Sequence, residues 1–110
     1  MIKKKDAYRS YPLRKSLIIN NREIKEVIIS SHYEEKHSDY LNDEIILQLV
    51  KQLDNKRFET EEQKDNWEYF SYSPLFYQKK IYKLVWCFES KSSFLGIRTC
   101  YRYKEYEKNK

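Results

Sequence analysis

The run Ile81-Tyr82-Lys83-Leu84-Val85-Trp86-Cys87-Phe88 decides the fold, together with Trp67-Glu68-Tyr69-Phe70-Ser71-Tyr72 before it and Phe94–Tyr103 after it. All three stretches are dense in aromatic and β-branched side chains, and Ser73-Pro74 and Glu89–Ser93 separate them. Their order predicts an antiparallel meander. The middle run is largely apolar on both faces, as a central strand would be. That places Lys83 as a cation close to the core and a candidate site residue, although a long stem can also snorkel to the sheet edge.

Working toward the N-terminus, Lys56 to Asp65 is polar and lacks periodicity, so it reads as a solvent loop. Before it, Ile45, Ile46, Leu49, Val50 and Leu53 recur at three-and-four spacing, which predicts a helix over 43–54. An earlier helix starts near His32, where Ser31 and Glu34 have the spacing of a capping box, and Ser38, Asp39, Asn42 and Asp43 interrupt it. Leu17–Ile19 and Arg22–Ile29 are extended runs around Asn20-Asn21, residues that tolerate the positive φ of a tight hairpin turn. The first sixteen residues are basic and broken by Pro12, and read as an arm without assigned structure.

The domain organisation expected is therefore a basic arm at 1–16, one α+β domain at 17–103 and a charged, fraying tail at 104–110. Its architecture is two N-terminal helices packed on one face of a mainly antiparallel sheet of about four strands.

A chain of 110 residues is one domain, too short for a Rossmann enzyme, a kinase or an α/β barrel. Its 40% hydrophobic and 35% charged residues are a folding composition. A single glycine excludes the glycine-rich phosphate loops of nucleotide-hydrolysing folds. No stretch reaches the ~20 apolar residues of a membrane span, and Met1–Lys15 lacks the apolar run of a signal peptide, so the expected compartment is the cytoplasm. Cys87 and Cys100 lie in apolar segments and are expected as reduced core thiols. Two cysteines and two histidines at these spacings fall short of a zinc site, and no cofactor is implied.

The net charge of +5 is unevenly distributed: residues 1–16 carry +5, residues 17–72 carry −6 and residues 73–110 carry +6. The excess permits a polyanionic partner without requiring one.

Both histidines lie in His32-Tyr33-Glu34-Glu35-Lys36-His37. On a helix His32 and Lys36 share a face, while His37 lies ~140° from His32. Imidazole titrates near neutrality and can relay protons in RNA cleavage. One group deprotonates the 2′-hydroxyl, another protonates the leaving oxygen, and cations hold the phosphorane. Taken by themselves, two histidines in a charged helix are more often ordinary surface or boundary residues. In the last strand, alternation puts Leu95, Ile97, Thr99, Tyr101 and Tyr103 on one face and Gly96, Arg98, Cys100, Arg102 and Lys104 on the other. The second face is cationic, and basic strands beside aromatics grip RNA, although strand cations also simply face solvent. Trp67 and Trp86 read as core residues rather than base-stacking platforms.

The segments Ile29-Ser30-Ser31-His32-Tyr33-x-x-Lys36-His37-Ser38, Ile45 to Val50, Trp67-Glu68-Tyr69-Phe70, Tyr82-Lys83-Leu84-Val85-Trp86 and Ile97-Arg98-Thr99-Cys100-Tyr101 together resemble the phage and toxin branch of the barnase, EndoU, colicin-tRNase and RelE-like nuclease superfamily. The resemblance spans about residues 27–103. It implies that fold, and metal-independent ribonuclease activity by a toxin that an antitoxin or immunity protein holds inactive. It maps the helix motif onto His32, Lys36 and His37 and the last-strand hydroxyl onto Thr99, with Tyr101; beside it, the positions of Lys83, Arg98 and Arg102 in the strands make them the candidate phosphate-binding residues. A non-catalytic nucleic-acid- or protein-binding module, such as a small phage inhibitor of a host machine, is the alternative.

Overall fold

A computed structural model describes residues 7–102 of the chain. The central meander is present: β4 (Trp67–Tyr77), β5 (Lys80–Glu89) and β6 (Phe94–Arg102) pair antiparallel in sequence order. Ser73-Pro74 does not end β4. The strand continues through a cis bond there, with its register shifted between Tyr72 and Leu75.

The hairpin at Asn20-Asn21 is also present, joining β1 (Tyr8–Ile19) to β2 (Arg22–Ser30), with φ of 54° and 62° at the two asparagines. Both central residues of this turn need positive φ, which asparagine adopts at low cost.

A 3-10 turn (Ser31–Tyr33), the one-turn α1 (Glu34–His37), α2 (Asp43–Lys51) and the short β3 (Glu62–Lys64) complete the described elements. The cap of the first turn differs from expectation: the hydroxyl of Ser30 accepts from the His32 amide, while Ser31 Oγ accepts from Ala7. At α2, Asn42 Oδ1 accepts from the Ile45 amide at 2.9 Å. Asp43 and Glu44 stand in its first turn and Lys51 in its last, as the helix dipole favours.

The expected architecture of two N-terminal helices on a mainly antiparallel four-stranded sheet is overturned. The sheet has six strands in the order β1-β2-β6-β5-β4-β3, and two of them precede the helices. It is mixed, because β2 runs parallel to β6, with Glu26 to Ile29 beside Phe94 to Ile97. Residues 8–16, read from sequence as part of a basic arm without assigned structure, are most of β1. Residues 1–6 of that arm and the chain beyond 102 lie outside the described residues.

The strand forms in a basic segment because alternate residues turn inward. Arg9, Tyr11 and Leu13 are half-buried between more exposed neighbours. Arg9 and Tyr11 reach Asp43 at the start of α2. Arg9 donates to both carboxylate oxygens, with Nη2 at 2.8 Å from Oδ1. The Tyr33 hydroxyl donates to Oδ1 at 2.7 Å, and the Tyr11 hydroxyl donates to Oδ2. Burial pushes the Asp43 carboxyl up, but these hydrogen bonds and the Arg9 charge outweigh it and hold the group at about 2. One carboxylate thus ties the edge strand, the 3-10 turn and α2 together.

The core lies on the face that α2 covers. Ile46, Leu49 and Val50 meet Ile24, Leu84 and Trp86 in one cluster of buried side chains. Trp86 is fully buried, stacked on Phe70 at 5.5 Å between ring centroids and met edge-on by Phe58. Cys100 belongs to the same cluster, and burial pushes its thiol up to about 12; both cysteines are free.

Candidate nucleic-acid interface

Strand pairing assigns the second face of the sheet. Trp86, Leu84 and Phe88 point into the core, so Cys87 and Val85 point away from it. Their partners share that side: Tyr69 and Gly96 flank Cys87, while Thr99 stands beside Val85 and Tyr101 beside Lys83. Across the parallel pair, Ile28 lies next to Gly96. The buried side chains of α2 and of Tyr33 all belong to the core cluster, which leaves the centre of this second face open.

An extra residue in β6 changes the predicted alternation. Trp86 pairs with Ile97 and Val85 with Thr99, so Arg98 bulges between them. The expected cationic face is thereby corrected. Arg98 stays exposed on the open face, with its guanidinium 4.8 Å from the centroid of the Tyr69 ring. Arg102, beside Tyr82, turns to the helix side and lies 5.2 Å from the Tyr40 ring centroid, its Nε buried without a hydrogen-bond partner. Thr99 and Tyr101, expected on the face of Leu95 and Ile97, move instead to the open face with Lys83. All three are half-buried.

At the centre of this face lies a depression of about 490 Å³. Gly96 and Cys87 form its floor, and Tyr8, Trp67, Tyr69 and Phe94 contribute rings around it. Trp67 and Phe94 meet edge to face at 6.1 Å. Arg98 and the exposed His32 complete the lining. Burial pushes the Cys87 thiol up, with Arg98 opposing, so the floor is a neutral thiol rather than a nucleophile.

His37 occupies a different place. Its ring stacks on Tyr101 at 5.9 Å, and Nδ1 lies 2.7 Å from the Tyr40 hydroxyl. That hydroxyl also accepts from the Arg102 amide at 3.3 Å, which ties the His37 ring to the end of β6. Lys36 is exposed on α1. The structure therefore groups His32 with Arg98, and His37 with Tyr101, along the same strand, while it sends Arg102 elsewhere. Among the described residues, no cluster of three potential ligands could hold a metal ion, and no helix is long and apolar enough to cross a membrane.

Tyr8, Tyr69, Phe94 and Gly96 line the depression without standing out in the sequence as site residues, and Trp67, expected in the core, lines it too. The alternation Trp67-x-Tyr69-x-Ser71 carried the signal for β4, since every second residue shares a face. Comparison with protein-family models, with curated proteins and with solved structures returned no match.

Proposed function

We propose that this protein binds single-stranded RNA across the open face of its sheet. The observation that carries the reading is the placement of Arg98 and His32 at an open depression ringed by Tyr8, Trp67, Tyr69 and Phe94. Unpaired bases stack on such rings, and a guanidinium among them neutralises phosphate; both interactions tolerate many sequences. Lys83, on the same face, adds a second cation.

Arg98→Glu is expected to weaken binding of a fluorescent single-stranded RNA by roughly tenfold or more and to flatten its salt dependence, because a phosphate contact is lost. Lys51→Glu on α2 changes the net charge by the same amount on the far side and is expected to have little effect. Equal losses in the two variants, measured by anisotropy, would point to a diffuse charge effect and remove the reading.

RNA cleavage on the same face is a second reading, favoured by the positions of the histidines. His32 stands with Arg98, and His37 stacks on Tyr101 farther along β6. Proton transfer by His32 and charge stabilisation by Arg98 are the roles that attack by a 2′-hydroxyl requires. His32→Ala is expected to slow RNA cleavage in EDTA by roughly 10²-fold. Intact RNA in the presence of wild-type protein, with binding retained, leaves the non-catalytic reading.

A further inference from the structure

The only glycine of the chain sits at the middle of the open face, which raises the question of what a side chain there would obstruct. A Cβ at Gly96 would come 3.1 Å from Cys87 Sγ and 3.6 Å from the Phe94 ring. The first distance is tighter than ordinary contact. The bare backbone therefore lets the Cys87 side chain lie against β6 and keeps the floor of the depression low. Around this floor stand rings contributed by four positions on three strands: Tyr8 of β1, Trp67 and Tyr69 of β4, and Phe94 of β6.

Backbone φ at Gly96 is not in the left-handed region, so no turn or bulge conformation requires glycine at this position. Space is the remaining reason. The volume lies in the range of small-ligand sites, and its lining is mainly apolar and aromatic with a few polar groups, namely Ser30, His32 and Arg98. A flat sheet face would stack bases side by side without a recess. This recess lies over the one position without a side chain and has the Arg98 guanidinium among its lining, one strand position beyond Ile97.

We propose that the recess over Gly96 takes a single unstacked nucleobase of the bound strand, with Arg98 holding the phosphate beside it. The proposal rests on the reading of this face as an RNA-binding surface and adds to it a defined one-base subsite. The base lies over Gly96 and Cys87, its edges meet Trp67, Tyr69 and Phe94, and its hydrogen-bonding groups reach Ser30 and His32. The neighbouring bases of the strand lie outside the recess and contribute less per nucleotide.

An abasic scan tests this without altering the protein. Removing one base at a time from a labelled single-stranded RNA, cut to the shortest length that keeps full affinity so that it binds in one register, is expected to cost roughly tenfold in affinity at one position and much less at the others. The variant Cys87→Ala/Gly96→Val fills the recess after the conflicting sulfur is removed, and its fold is checked by circular dichroism. It is expected to lose the wild-type advantage of that position, so that intact and abasic RNA bind alike. A wild-type penalty spread evenly along the RNA overturns the subsite while leaving the RNA-binding surface intact, as does a folded double variant that keeps the full single-position penalty. Failure of wild-type protein to bind any of the RNAs overturns the surface reading itself.

Discussion

Asp43→Ala is expected to lower the free energy of unfolding by about 3 kcal/mol, measured by urea denaturation at pH 7. The carboxylate is the shared acceptor for Arg9, Tyr11 and Tyr33. Removing it leaves the hydroxyl of Tyr33, a residue only 3% exposed, without its acceptor and leaves the half-buried Arg9 guanidinium with only Glu34, 46% exposed, as its counter-ion. Breaking a well-buried pair from one side costs about 3–5 kcal/mol, and an unsatisfied buried hydroxyl about 1–3. Arg9 is 34% exposed, so solvent recovers part of the first term and the estimate falls at the lower end.

The same site sets an acid limb. The Asp43 carboxyl titrates at about 2 in the folded chain against an ordinary value of 3.8. A depressed carboxyl contributes stability that is complete above about pH 4 and is lost as pH falls through 2. The amount is about 2 kcal/mol at most, with solvent at Arg9 reducing it. Asp43→Asn is expected to lack this limb. At the alkaline end, burial and the hydrogen bond to Asp43 raise Tyr33, and the hydrogen bond to Asp43 with burial raises Tyr11. Their contribution is complete below pH 10 and is lost as the tyrosines ionise above it. Stability of Asp43→Ala equal to the wild type, or an acid limb unchanged in Asp43→Asn, would contradict the role given to this carboxylate.

Trp86→Ala is expected to cost about 3–5 kcal/mol, a large part of the ~5–15 kcal/mol that holds a small domain folded. The indole is fully buried on the central strand, stacked on Phe70 with 9° between the planes and closed by Phe58 at 5.1 Å. Its removal opens a cavity at the middle of the core that α2 and the sheet cannot both close. Trp86→Phe is expected to cost much less than the lost volume implies. Indole Nε1 is buried without a hydrogen-bond partner, so the smaller ring removes an unsatisfied donor along with the volume. A shift in the urea midpoint without a change in slope distinguishes lost stability from a changed unfolded state.

These residues also mark what could be read from the sequence. The strand runs, the Asn20-Asn21 turn and α2 are local patterns, and local patterns survive into the structure. The β2–β6 parallel pair is not local: nothing in Val27-Ile28-Ile29 announces a partner nearly seventy residues away. Arg9 misled in a different manner. A guanidinium that alternates with Tyr11 and Leu13 on a strand looks, in a basic segment with a proline, like one more solvated charge until Asp43 is known to face it. For the candidate site, His32, Arg98, Thr99, Tyr101 and Lys83 were legible as residue types beside strands. Which of them share a face was not, because the bulge at Arg98 inverts the alternation of everything after it, and Arg102 changes sides as a result.

Binding of single-stranded RNA to the open face of the sheet, as proposed, would be reported by the two tryptophans from opposite sides. Trp67 lines the depression, whereas Trp86 is buried in the core on the other face. In a nitrogen–proton correlation spectrum titrated with single-stranded RNA, the Trp67 indole signal and the Gly96 amide are expected to shift together while the Trp86 indole stays in place. Shifts confined to α2 and the adjoining part of β1, with Trp67 and Gly96 unmoved, would contradict the account.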